Sequence, residues 1–465
     1  MKDFREQAHK LADWIADYLE NAERFSVLSR VRPGEIRDAL PAQAPEHGEA
    51  FDAIFADFER IILPGVTHWN HPGFFAYFAI TSSAPGILAE FLSAALNQQA
   101  MLWRTSPAAT ELEEVSLGWL RKLVGLPADF EGVIYDTASV STLHALAAAR
   151  EAAVPGVRAR GLAGRGDIYG VRVYCSEHAH SSVDKAVILL GLGHEALRKI
   201  PADAEFRMKP EALARAISED RAAGLIPIAA VATVGSTSST SVDPVAEISA
   251  ICRRENVWLH VDGAYAGVAA MVPGYEWILR DAARADSIVL NPHKWLFTPF
   301  DLSVLYCRRM DVLRQAFSLT PEYLKTSEGD AGVRNLMDTG IQLGRRFRAL
   351  KLWMILRHFG AKGLRDALAN HMELARKFAG WVDASARFER VAPVPFSVVC
   401  FRLRDADDET QARILEAVNA SGEVFLSHTR LDGRYVLRLA IGHLQTAERH
   451  VARAWELLNS SAAEL

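Results

Sequence analysis

From about residue 81 the chain alternates between two kinds of pattern. Helical periodicity at Glu111–Leu123, Val140–Glu151, Pro210–Ala223 and Pro244–Glu255 is interleaved with short β-rich runs, VRVYC, IAAVATV, VWLHVD, SIVLN and SVLYC. Strands separated by helical stretches build βαβ units. The region is therefore expected to be α/β, with a mostly parallel sheet and ligands at the carboxyl ends of its strands.

The flanks read differently. Phe4, Ala8, Leu11, Ile15, Tyr18 and Leu19 repeat at helical spacing, as do Ala50, Ile54, Phe55, Phe58 and Ile61. A Pro- and Gly-punctuated connector, VRPGEIRDALPAQAPEHGE, separates the two sets. Such an arm has an apolar stripe but little core of its own, so it is expected to pack on a partner subunit. Near residue 345 a long helix leads into FSVVCFRL and RYVLRLAI, the pattern of a small α+β domain. The expected division is an arm at 1–80, a large domain at 81–345 and a small domain at 346–465.

Composition narrows the function. At 465 residues, half of them hydrophobic, the chain can bury a large core. Lys and Arg number 52 against 57 Asp and Glu, so the net charge of −5 argues against nucleic acid as a partner. No apolar run approaches the ~18–20 residues of a membrane helix, and the charged N-terminus lacks a secretion signal's apolar stretch. Cys175, Cys252, Cys307 and Cys400 lie far apart and form no CxxC, which fits neither a disulfide framework nor a zinc site. A cytoplasmic protein without a metal is the expectation.

The chemistry is carried by loops that follow strands. In NPHKW, Lys294 comes just after SIVL, flanked by His293 and Trp295 and followed by apolar LFTPF. A lone lysine is most often a solvated surface residue, but this setting suits a desolvated amine, which forms Schiff bases with carbonyl compounds. In WLHVDGAYAG, Asp262 ends an apolar strand. A buried carboxylate there needs a cationic partner; metal ligation is the rival, without a second ligand on a matching element. A lysine for an aldehyde and a carboxylate for a pyridinium nitrogen together suit a pyridoxal phosphate enzyme.

Three further loops follow the same rule. In VIYDTASVSTLHAL, Thr137, Ala138 and Ser139 open a helix whose free amides suit a phosphate, although an ordinary N-cap would look alike. CSEHAHSSVDKA places His178 and His180 after a strand, and VATVGSTSSTSVD does the same for Thr237 and Asp243. Five strand-end loops with one role each for one cofactor are a stronger signal than any loop alone.

The series THWNHPGFFAYF, WRTSPAATELE, DTASVSTL, EHAHSSVDKA, HVDGAYAG, NPHKW and LGRRFRALKLW resembles the aromatic-L-amino-acid decarboxylases, the group II pyridoxal-dependent decarboxylases, over essentially the whole chain. The resemblance implies a homodimer of the aspartate aminotransferase-like fold (type I of the pyridoxal phosphate-dependent transferases). It implies that Lys294 binds the cofactor's aldehyde, that Asp262 pairs with the pyridinium nitrogen and that His180 stacks on the ring. Thr137, Ala138, Ser139 and Asn291, with His293, would hold the phosphate. Thr237 would lie near the phenolic oxygen, and Asp243 behind these contacts. Trp69, Phe78, Ile80, Met101 and Phe300 would form an apolar wall for an aromatic side chain, with Gly344 where plant relatives place Gly for indole substrates.

The match departs from animal relatives at 324–344, LKTSEGDAGVRNLMDTGIQLG, where Leu336 or a neighbour replaces a loop tyrosine that donates a proton. VRNLMDTGIQLGRR resembles the bacterial decarboxylases, so the reading is a bacterial-branch decarboxylase that forms an amine. The alternative is an aldehyde synthase on the same scaffold. Gly329, Gly332 and Gly340 lead to the expectation of a mobile loop at 326–342. An aminotransferase, with Arg438 gripping the carboxylate, is a more distant rival.

Overall fold

The computed structural model describes residues 4–319 and 333–464. Part of the expected mobile loop, 326–332, therefore lies outside the described residues. Strands are numbered in chain order: β1 Phe74–Phe75, β2 Glu131–Tyr135, β3 Val171–Ser176, β4 Leu197–Ile200, β5 Ile226–Thr233 and β6 Trp258–Asp262. They continue as β7 Ser287–Leu290, β8 Ser303–Cys307, β9 Phe388–Arg390, β10 Val398–Leu403, β11 Phe425–Leu431 and β12 Arg434–Ala440.

The chain forms two compact units. One comprises Ile80–Arg376 with Ala392–Cys400, the other Met1–Ala79, Lys377–Val391 and Phe401–Leu465. These units cut the chain differently from the three segments read in the sequence. The arm shares a unit with the C-terminal segment because β1 pairs in parallel with β11, Phe74 opposite Phe425. Two phenylalanines in a two-residue strand carry too little pattern to be read as part of a sheet 350 residues away.

The larger unit is built on a seven-stranded sheet in the order β2-β8-β7-β6-β5-β3-β4. Pairings among β4, β3, β5, β6 and β7 are parallel, while β8 runs antiparallel to both β7 and β2. Parallel strands are covered on both faces and so carry continuous apolar runs. Seven of the eight residues of β5, and all of β6, β7 and β8, are buried.

The helix Ala138–Ala153 packs on this sheet through Ala145, Ala148 and Ala149, whose small side chains allow close approach to Val133, Val231 and Leu305. Gly235 holds φ +85°, and a Cβ there would lie 2.6 Å from that of Ala266. Only glycine fits that turn.

Most of a five-stranded sheet, β1-β11-β12-β10-β9, belongs to the smaller unit. Its helix Glu448–Ala463 buries Val451, Ala454 and Leu458. The first helix, Phe4–Glu20, has no buried residue.

Candidate active site

Register fixes the edge on which the candidate loops emerge. Thr233 lies opposite Asp262, and Asp262 opposite Val289, so β5, β6 and β7 end together. β3 is parallel to β5, and β2 is parallel to β7 because both oppose β8. The segments that carry Thr137, His180, Thr237 and Lys294 therefore all leave the same edge, beside Asp262.

Asp262 is 8% exposed, and its Oδ1 accepts the Ala264 amide at 3.0 Å. His180 Nδ1 accepts the Ser182 amide at 3.1 Å, which leaves the ring proton on Nε2. Burial holds this imidazole below the usual histidine range; the Asp262 carboxylate pulls it up and the Lys294 ammonium pushes it down. Both charged side chains thus act on the His180 ring.

Lys294 is half-buried on the turn Pro292–Trp295. Its neighbour anchors that turn: Trp295 is 1% exposed, donates to His371 Nδ1 at 3.0 Å and stacks on Tyr265 at 4.8 Å. The Tyr265 hydroxyl in turn meets Ser397 Oγ at 2.5 Å. His293 is buried, accepts the Leu302 amide on Nδ1 at 2.9 Å and is driven down to about 3, chiefly by burial. It is fixed as a neutral ring.

Thr137 caps the helix Ala138–Ala153, yet its hydroxyl makes no capping bond to it and instead donates to Asp136 Oδ1 at 3.2 Å. The Thr137 amide goes to the same oxygen at 2.6 Å. The amides of Ala138 and Ser139, first in the helix, have no intrahelical acceptor.

The β5 loop differs in detail from expectation. Thr237 is exposed, whereas Ser236 is buried and bonded to Ser239 and Ser241 at 3.1 and 2.8 Å. Asp243 is buried and accepts the amides of Met208 and Thr233 at 2.7 and 2.8 Å, so it holds the loop to its strand. Burial pushes its carboxyl up to about 6.

The sequence reading missed Thr233, whose buried hydroxyl ends β5 without a partner, and Asp136, which occupies the Thr137 amide. The strand-end rule reaches both positions, but Thr233 reads as an ordinary β-branched strand residue.

The residues of the expected apolar wall are drawn from both units. Trp69 and Phe78 belong to the smaller unit, where Trp69 stacks on Phe74 at 4.4 Å and the Arg438 guanidinium lies 4.7 Å from the Phe78 ring. Ile80, Met101, Phe300 and Gly344 belong to the larger unit. Gly344 lines a cavity of about 400 Å³ with Asn97, Gln99, Asp136 and Gln342, a polar lining in which Ile80, Met101 and Phe300 take no part. Met101 instead packs beside Leu102 and Met337. Phe300 is 57% exposed, 4.8 Å from the His293 ring. Segments distant in sequence bring the amides to Gly344, which no local pattern announces.

A family model described as the pyridoxal-dependent decarboxylase conserved domain matches residues 33–404. The chain belongs to the pyridoxal-dependent decarboxylases. It is 42% identical to tryptophan decarboxylase 2 of Oryza sativa subsp. japonica, over 100% of this chain and 95% of that protein. It is also 42% identical to the aromatic-L-amino-acid decarboxylase of Sus scrofa, over 100% and 97%. The solved structure of Oryza sativa TDC with PLP and tryptamine superposes with a TM-score of 0.96 at 38% identity, covering 100% of this chain and 98% of that one. These relatives are plant and animal, which gives the bacterial affiliation read from the loop no support.

The decarboxylase site fits pyridoxal phosphate. Asn291 Oδ1, just past β7, and Thr233 Oγ1, at the end of β5, are buried polar atoms without a hydrogen-bond partner among the described residues, on either side of β6. Turning the Asn291 amide over offers its Nδ2 as a donor. With the first amides of the helix Ala138–Ala153, these groups supply donors for a phosphate and its ring, opposite one carboxylate, Asp262.

Proposed function

We propose that this decarboxylase converts an aromatic L-amino acid to the corresponding amine and carbon dioxide. The observation that carries the reading is that Lys294, Asp262 and His180 leave one strand edge, with both charged groups acting on the His180 ring. The relatives named for tryptophan and other aromatic acids support the substrate class.

Lys294 is assigned to the cofactor's aldehyde, Asp262 to its ring nitrogen and His180 to its ring face. Ala138 and Ser139 amides, Thr137 and Asn291 are assigned to the phosphate, with His293 bracing the turn and Thr237 at the margin. Bound there, pyridoxal phosphate supplies a sink for the electron pair released when the Cα–carboxylate bond breaks. Asp262, held as an acceptor by the Ala264 amide, keeps negative charge where the ring nitrogen needs it. His180, with its proton on Nε2, is positioned to deliver a proton to Cα in place of the lost carbon dioxide. Trp69, Phe78, Ile80, Met101 and Phe300 stay proposed contacts of the aromatic side chain, with the polar wall at Gly344 suited to a hydroxyl or ring N–H.

A second reading has a specific observation behind it. Leu336, at or beside the place of the missing loop tyrosine, is a 1% exposed apolar residue and offers no proton. Phenylacetaldehyde synthase of Arabidopsis thaliana is 42% identical over 100% of this chain and 96% of that protein. An aldehyde synthase would consume dioxygen and water and release aldehyde, carbon dioxide, ammonia and hydrogen peroxide.

The active unit is proposed to be a cytoplasmic homodimer. The unburied helix Phe4–Glu20 and the exposed Leu88, Phe91, Leu92 and Leu96 of the helix Ala84–Leu96 support an interface. Four buried cysteines, none in a disulfide among the described residues, support a reducing compartment.

Borohydride reduction of the holoenzyme followed by peptide mass analysis tests the assignment. The cofactor should be found fixed on Lys294; fixation on another lysine, or none, would overturn it.

A further inference from the structure

At the opposite, amino-terminal end of the parallel strands the larger unit holds a second cavity, of about 190 Å³. That is room for roughly six waters at ~30 Å³ each. Trp258 at the start of β6 and Ile228 of β5 line its inner side, with Ala149 and Ala153 from the far end of the helix Ala138–Ala153. Arg253, Arg284 and Arg309 complete the lining.

These three arginines are solvent-exposed and differ from the paired arginines of the same unit. Arg334, Arg345 and Arg348 pair with Glu114, Glu113 and Asp301. Among the described residues, Arg253, Arg284 and Arg309 have no carboxylate within ion-pair distance. Arg309 is held in place, its guanidinium 5.3 Å from the centre of the Trp258 ring.

One acid lines the cavity, Asp286, and its Oδ2 already accepts the Leu259 amide at 2.8 Å. Burial raises its pKa, while the charges of Arg309 and Arg308 pull it down. Ser249 and Asn256 also line the cavity, and neither side chain has a hydrogen-bond partner among the described residues. Three guanidinium groups, a hydroxyl and an amide thus line one cavity with a single carboxylate, one of whose oxygens is already taken.

We propose that this cavity binds a small phosphate-bearing anion, a phosphomonoester of a few carbons or phosphate itself. Guanidinium forks match phosphate oxygens in pairs, and an anion relieves the repulsion among three like charges around one space. Arg309 on Trp258 gives the site a preformed donor, so little ordering is needed on binding. The site lies at the far end of the helix Ala138–Ala153 from the candidate phosphate cup, about 24 Å away by helix rise for 16 residues. It is independent of the substrate assignment.

The test is thermal unfolding of the holoenzyme, kept in excess pyridoxal phosphate so that the cofactor's own phosphate site stays filled. Inorganic phosphate and glycerol phosphate are titrated against sodium chloride at constant ionic strength. The expected result is a saturable rise in Tm with at least one phosphate probe and none with chloride. The triple variant Arg253→Gln, Arg284→Gln, Arg309→Gln should lose that rise while keeping its cofactor absorbance and turnover. A rise with glycerol phosphate alone points to the ester as ligand; a rise with both points to the phosphate group. Equal shifts in variant and parent, or no saturable shift with either probe, would overturn the proposal.

Discussion

A Cβ on Gly340 would lie 2.8 Å from Cε1 of the buried His144 ring. The same ring accepts the Ile341 amide on Nε2 at 3.3 Å and meets Tyr135 and Phe317 edge-on at 4.4 and 4.6 Å. His144 thus fixes residues 340–341 and 317 onto the helix that begins at the candidate phosphate cup. Gly340→Ala is expected to cost about 1–3 kcal/mol through overpacking. In a His144→Ala background the penalty should shrink, because the ring it strikes is gone. Urea unfolding of the double-mutant cycle measures the coupling, expected at about 0.5–3 kcal/mol; simple additivity would mean the contact is not made.

Acid should destabilise the fold in a defined window. Burial holds His71 and His260 down at about 4 and His144 and His293 at about 3, against 6.5 for a free ring. Below 6.5 the unfolded chain binds protons that the folded one refuses. The stability these groups contribute is complete above pH 6.5 and is lost as pH falls through 4 to 3. Asp243 acts in the opposite sense, since its folded value of about 6 lies above its ordinary 3.8. With His68, His180 and His450 also lowered and Glu114 and Asp286 also raised, seven histidines against three carboxyls leave a net loss. Tm measured from pH 7.5 to 4.5 should therefore fall, and a flat profile would contradict the buried neutral rings.

Asp262→Asn keeps an oxygen for the Ala264 amide but removes the charge. Turnover should drop by at least about 10²-fold, the scale of losing one preorganised electrostatic contact. His180 should respond as well: without the Asp262 charge that raises its pKa, it should titrate still lower, readable by NMR of the ring. An unchanged His180 titration would place the two residues out of reach of each other.

The arm offers a test of assembly. Trp14 packs on Phe55 and Phe58 at 6.0 and 5.5 Å, yet Phe4–Glu20 buries no residue. Deleting residues 1–60 should give aggregating or cofactor-poor protein by sedimentation and absorbance. A fully active, well-behaved monomer after that deletion would remove the case for a dimer.

How much of this was legible depended on the range of the interaction. VRVYC, VWLHVD and SIVLN correspond to β3, β6 and β7 because buried parallel strands need local apolar runs. Lys294, Asp262 and His180 were found by the same route, as residues just past such runs. Gly344 with Asn97, Gln99 and Asp136 was not, since their meeting depends on packing between segments about 40 to 250 residues apart. β1 was missed for a like reason: its partner β11 is near the other end of the chain. That Thr237 is exposed while Thr233 and Ser236 are buried was not legible, because hydroxyl type, and not burial, is what a sequence displays.

The most direct test of the central claim is product analysis. Holoenzyme is incubated in air with L-tryptophan, L-tyrosine, L-phenylalanine or L-DOPA, with amine, carbon dioxide, aldehyde and dissolved oxygen followed together. Aromatic amine equal to the carbon dioxide released from at least one of these acids, with little oxygen uptake, is the predicted result. Aldehyde and hydrogen peroxide formed in step with oxygen consumption would contradict it and establish the aldehyde synthase reading instead.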